Sequence, residues 1–136
     1  MTAPVNSMLA FRVKIDLPYA AAIEKVTAEL KKEGFGVLTQ IDVAETLKQK
    51  IGVDFRRYAI LGACNPSLAH KALSADLDVG LLLPCNVTVY EDGAGSQVSL
   101  IDPVGMLAPA GLGELAEVAE DARARLGRVA AALLLV

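Results

Sequence analysis

Gly62-Ala63-Cys64-Asn65-Pro66 closes an apolar run that begins at Arg57, and it reads as a strand turning directly into a helix. From Arg57 to Cys64 (Arg-Tyr-Ala-Ile-Leu-Gly-Ala-Cys) apolar residues fill odd and even positions alike, the pattern of a central strand covered on each face. Asn65 then offers an N-cap amide, and Pro66 fits the first helical position, where its missing N–H costs nothing. Leu68, Ala69, Ala72 and Leu73 form the packed side of that helix, while His70, Lys71 and Ser74 point elsewhere. A second corner, Leu83-Pro84-Cys85-Asn86-Val87, repeats a Cys-Asn pair beside a proline, so both cysteines of the chain stand at strand borders.

Working outward toward the C-terminus, Leu81 to Glu91 reads as a strand with Cys85, Val87 and Val89 on one face and Asn86, Thr88 and Tyr90 on the other. Pro84 belongs at its start, because it cannot donate to a central ladder. Asp92 to Ser96 is turn chemistry, and Gln97 to Ile101 completes a hairpin. Asp102 to Gly111 carries two prolines and two glycines. It is expected to be a connecting loop whose apolar tip, Met106 and Leu107, closes a pocket or meets a second subunit. Leu112, Leu115, Ala119, Ala122, Leu126, Val129 and Leu133 then step by three and four, which predicts a long helix lying across the sheet in preference to a coiled-coil seam.

Toward the N-terminus, residues 8–15 alternate Phe11, Val13 and Ile15 against Arg12 and Lys14, a half-buried strand. Asp16-Leu17-Pro18 reads as the start of a helix from about residue 17 to 33 with Ile23, Val26 and Leu30 as its buried stripe, and Gly34 supplies the left-handed stop. A strand follows over 35–43, then a short exposed helical segment over 44–51 that ends at Gly52. The order is β-α-β-(short α)-β-(short α)-β-β-α. It predicts one α+β domain over residues 1–136, with two main helices on an antiparallel or mixed sheet of four or five strands.

Over half of the 136 residues are apolar, enough for one core and too many for a disordered chain. The net charge is −3 and no Lys/Arg cluster exceeds a pair, so nucleic acid and anionic lipid are not expected partners. Met1 to Phe11 lacks the pattern of a secretory signal, and the apolar run from Val129 to Val136 is far short of the roughly twenty residues that span a bilayer. A cytoplasmic protein with two free thiols is the expectation.

Glu33-Gly34-Phe35-Gly36-Val37, the two Cys-Asn corners in Gly62–Pro66 and Leu82–Val87, and Val89-Tyr90-Glu91 resemble the domain of unknown function 302 family of bacteria and archaea, over nearly the whole chain. The resemblance implies a compact α+β fold similar to the TATA-binding-protein-like topology, commonly assembled as homodimers. It implies no established activity, and topology shared with a DNA-binding fold transfers no function.

Five residues are candidates for chemistry. Cys64 stands just ahead of a helix N-terminus, where backbone dipoles favour a thiolate; the alternative is a small side chain filling the gap between strand and helix. Cys85 adjoins it if the two strands pair, giving a dithiol, a disulfide or a soft-metal corner. His70, the sole histidine, leans back toward Cys64 as a base or co-ligand, or is a surface residue. Asn65 and Asn86 serve capping and turn geometry, or a ligand. Outside these five, Arg56 and Arg57 are a solvated pair or an anion site. The cysteine spacing matches no zinc pattern, so no structural metal is expected, and no phosphate loop, nucleophile elbow or Ser-His-Asp set is present. The expected function is a homodimeric ligand- or cofactor-binding module, its ligand unknown, with Cys64, Asn65, His70, Cys85 and Asn86 near the polar end of an apolar cleft. The alternatives are thiol-dependent redox or nucleophilic activity of Cys64 and Cys85, with His70 as proton acceptor, and a structural partner protein without a small-molecule site.

Overall fold

An antiparallel sheet with its main helices on one face organises the computed structural model, which describes residues 5–6, 9–108, 111 and 113–136. In chain order the elements are β1 (Val5–Asn6), β2 (Ala10–Ile15), α1 (Tyr19–Lys32), β3 (Gly36–Asp42), α2 (Val43–Ile51), β4 (Tyr58–Cys64) and α3 (Pro66–Ala75), followed by β5 (Cys85–Asp92), β6 (Gly95–Ile101), α4 (Pro103–Leu107) and α5 (Ala116–Leu133). The strands lie in the order β1-β2-β6-β5-β4-β3, so five full strands carry a two-residue edge pairing at β1 that the sequence did not announce. Because β2 and β3 stand at opposite ends of the five, α1 crosses the sheet to join them.

Alternation along the strands sorts the two faces. Val13 and Ile15 of β2, Ala59, Leu61 and Ala63 of β4, Cys85, Val87 and Val89 of β5, and Val98 and Leu100 of β6 meet Ala22, Val26 and Leu30 of α1 and Leu126, Val129 and Leu133 of α5 in one core. Each such fully buried aliphatic side chain stabilises the fold by about 1.5–3 kcal/mol relative to exposure. A smaller cluster joins Ala72 of α3, Val79, Leu107 of α4, Leu115 and Ala119 of α5.

Helix ends follow local chemistry. At the C-terminus of α1, Gly34 has φ 84° and its N–H donates to the Lys31 carbonyl, while the Phe35 N–H donates to that of Leu30. This pair of bonds is the left-handed stop expected of the glycine. Asp42 caps α2 by accepting from the Glu45 N–H at 3.0 Å, no residue of that helix is buried, and Gly52 at φ 68° ends it.

Several expectations need correction. The start of α1 is capped by Pro18 without a side-chain bond, because Asp16 lies two residues too early to reach the open N–H groups. Leu81 to Leu83 precede β5 instead of opening it: Leu77–Leu82 is a 3-10 turn, with the Asp76 side chain accepting from the Asp78 N–H at 2.9 Å. The stretch after β6 is not all loop, since Asp102 starts α4 there. The main helices α1 and α5 share a core with one face of β4, that of Ala59, Leu61 and Ala63, while Tyr58 and Ile60 on the other are half-buried. Of the two expectations for Met106 and Leu107, the structure matches the pocket: both turn inward to line it, and Leu107 is buried. The long helix packs on the chain's own sheet, as expected, from Ala116 onward. Met8, Pro109, Ala110 and Leu112 lie outside the described residues.

Candidate functional site

Strand β4 delivers Cys64 to the edge of the core and Asn65 makes the turn into α3. The Asn65 Oδ1 accepts from the Leu68 N–H at 3.2 Å, and its Nδ2 donates to the Glu33 carbonyl at 3.4 Å. The side chain therefore caps α3 and clasps the end of α1, with Pro66 in the first turn as its ring requires. Arg125 Nη1 donates to the same carbonyl at 3.2 Å, so α1, α3 and α5 meet at one backbone oxygen.

The second corner adjoins the first. Strands β4 and β5 pair with Ala63 opposite Cys85 and Gly62 opposite Asn86, and a cis peptide links Leu83 to Pro84 just before the ladder begins. Both cysteines are free thiols. Cys64, the last residue of β4, stands one step past the position opposed to Cys85, and both sulfurs face the same cavity at the strand's end. Burial pushes the Cys85 thiol up to about 11, and the nearby Cys64 adds to the effect.

Between the two core clusters lies a cavity of about 60 Å³, bounded by Cys64, Asn65 and Cys85 on the sheet side and by Val79, Met106 and Ala119 opposite. Its wall is almost entirely hydrocarbon and sulfur. The wall formed by α4 is held by Asp102, a buried carboxylate that accepts from the Val104 N–H at 3.0 Å and lies 3.2 Å from Arg123 Nε of α5. A charge so buried is retained only when partnered, and here its partners fix the helix over the cavity.

Three of the five candidate residues thus come together at the cavity, and two do not. His70 is exposed on α3 and forms no part of the wall. Asn86 is exposed on the opposite face of the sheet, where period-two alternation must put the neighbour of an inward Cys85. The side chains that sequence reasoning missed are Val79, Ala119 and their neighbours, which carry no signal apart from their apolar character. Among the described residues no three His, Cys, Asp or Glu side chains cluster as a metal site, and no helix is long and apolar enough to cross a membrane.

A family model described as domain of unknown function DUF302 matches residues 11–133. The crystal structure of an uncharacterized conserved protein DUF302 from Bacillus stearothermophilus superposes with a TM-score of 0.85 at 33% identity, over 93% of this chain and 99% of that one. No curated protein matches the sequence.

Proposed function

The chain belongs to the DUF302 family, and from the arrangement of its two Cys-Asn corners we propose that it is a single-domain binding module whose inner cavity takes a small apolar ligand. The observation that carries this reading is the convergence of Cys64, Cys85 and the Met106 thioether on one hydrocarbon-walled space whose rim is held by Asn65 and Asp102. Sulfur is soft and polarizable and packs well against apolar ligands. A cavity of this character stays dry until an apolar molecule enters. Its 60 Å³ is less than half of the roughly 150 Å³ that admits benzene, so the ligand has only a few heavy atoms.

Thiol chemistry is the weaker alternative. A Cys85 thiol pushed up to about 11 is a poor nucleophile at neutral pH, and the one-step offset from Cys64 opposes a cross-strand disulfide. Two unbridged thiols suit a reducing, cytoplasmic compartment. Self-association as a homodimer is supported by Leu77 and Leu81, which are 83% and 86% exposed on the 3-10 turn outside the cavity.

Xenon tests the cavity directly. In methyl-labelled full-length protein under xenon pressure, the methyls of Met106, Leu107 and Leu68 shift saturably, and Ala119→Leu, which fills the space, abolishes the response. Cavity methyls that ignore xenon would overturn the reading. Sedimentation velocity of the wild type and of Leu77→Glu/Leu81→Glu checks the association: a dimer that becomes a monomer supports it, and a monomer in both refutes it.

A further inference from the structure

The sheet face turned away from α1 and α5 holds a separate groove of about 570 Å³, within the size range of small-molecule sites. Strand register lays out its floor. One row sets Tyr90 beside Tyr58 and the next runs Arg12, Ser99, Thr88, with Asn86 in the row beyond. The groove therefore grades from a cationic, hydroxyl-bearing side at β2 to an aromatic side at β4.

On the aromatic side, Tyr58 and Tyr90 are directly opposed and stack with centroids 5.3 Å apart at 4°. Phe55, 49% exposed, meets Tyr58 at 6.2 Å, and the Arg56 guanidinium lies 5.6 Å from the Tyr90 centroid. On the opposite side Arg12 is exposed. Among the described residues neither Arg12 nor Arg56 forms an ion pair, whereas Lys14 and Arg57 close by are matched to Asp92 and Glu91. Arg12, with no ion-pair partner among the described residues, and Arg56, which donates to the Glu91 carbonyl at 3.5 Å, flank a concave surface with partly exposed rings, and this combination favours a ligand that is both anionic and planar.

We propose that this groove binds an aromatic phosphate of mononucleotide size. Its ring system lies against Phe55 and Tyr90, its phosphate is gripped by Arg12 through the paired N–H donors that guanidinium presents to such oxygens, and Ser99, Thr88 and Asn86 supply orienting hydrogen bonds. One guanidinium group at the phosphate end is enough for a single phosphate and far too little to hold a long polyanion against physiological salt, which is compatible with the net charge of −3.

Adenosine 5′-monophosphate and flavin mononucleotide are the probes, titrated into full-length isotope-labelled protein and followed by amide shifts. The expected result is saturable shifts at Arg12, Thr88, Tyr90 and Ser99 with at least one probe, and binding at least about tenfold weaker for adenosine or riboflavin, which lack the phosphate. Arg12→Ala and the more conservative Arg12→Gln each weaken binding about tenfold, while Arg128→Ala on α5 leaves it unchanged. The proposal is overturned if neither probe gives saturable shifts by about 5 mM, if Arg12 variants bind as the wild type does, or if the amide signals of Thr88, Tyr90 and Ser99 shift on dilution of the free protein, which would place a second copy of the chain on this face.

Discussion

Asn65 reaches across from the start of α3 to the carbonyl of Glu33 at the end of α1, a 3.4 Å bond made by the same side chain that caps its own helix through Leu68. One amide thus serves two helix ends, and its two halves can be separated by substitution. Asn65→Ala loses both and is expected to cost about 2 kcal/mol, at the upper end for a lost cap. Asn65→Asp keeps the accepting oxygen and loses only the donor, so its urea midpoint falls between those of wild type and Asn65→Ala. Equal midpoints for the two variants would mean that the bond to Glu33 contributes nothing.

Thiol reactivity follows burial. With its thiol pushed up to about 11, only about one Cys85 in a thousand is thiolate at pH 8. Alkylation of native protein, read by mass spectrometry of peptides, is expected at Cys64 first. Cys85 labelling rises about tenfold per pH unit through the range from 8 to 10, so a rate at Cys85 that is flat across that range contradicts the burial argument. Because the raised folded value exceeds that of the unfolded thiol, the contribution of this group to stability is present below about pH 8.5 and is lost as pH rises through the folded value near 11.

Gly62 is a steric requirement of the corner. A Cβ there would overlap Thr39 Oγ1 and come within 2.8 Å of Pro84 Cγ. Gly62→Ala is expected to destabilise by about 1–3 kcal/mol. In a Thr39→Ala background the overlap with the hydroxyl disappears, and the penalty drops by about 1 kcal/mol. Identical penalties in the two backgrounds, measured by chemical denaturation, would remove Thr39 as the cause.

Glu29 is the buried carboxylate of α1, held 3.0 Å from Lys32 and 3.1 Å from Lys25. Its hydrogen bonds with those ammonium groups, that of Lys32 foremost, hold its carboxyl below the ordinary range. The folded value being the lower one, the stabilisation is complete above the unfolded value near 4.5 and disappears as pH falls through the folded value. Glu29→Gln is therefore expected to cost about 1 kcal/mol at pH 7 and almost nothing near pH 2. A gap between the two proteins that stays constant with pH would exclude the ion pair as its source.

Much of this was legible in the residues. Asn65-Pro66 marked the start of α3, and alternation from Cys85 to Tyr90 gave the two faces of β5, because capping and pleating are local effects that a few side chains determine. Asp102-Pro103 carries the same signal as Asn65-Pro66 and starts α4, yet the glycines and prolines around it read as loop. The three leucines from Leu81 to Leu83 looked like strand because a short apolar run has no period to separate it from a helical turn. The inner wall of the cavity was not legible. Val79 and Ala119 are ordinary apolar residues whose shared destination is set by how α3, α4 and α5 pack over long sequence distances. Of the two readings of His70, a base beside the thiol or a surface residue, spacing alone could not choose; the helix turns it to solvent.

The register slip between Val37 and Thr39 lies on β3, the outermost full strand on its side of the sheet. A foreign strand arriving there finds a ladder interrupted at Leu38, with no continuous row of N–H and C=O groups to copy. Growth of the sheet by adding chains along that side is thereby discouraged, and a crowded solution of this protein is guarded against fibril formation from its most open margin.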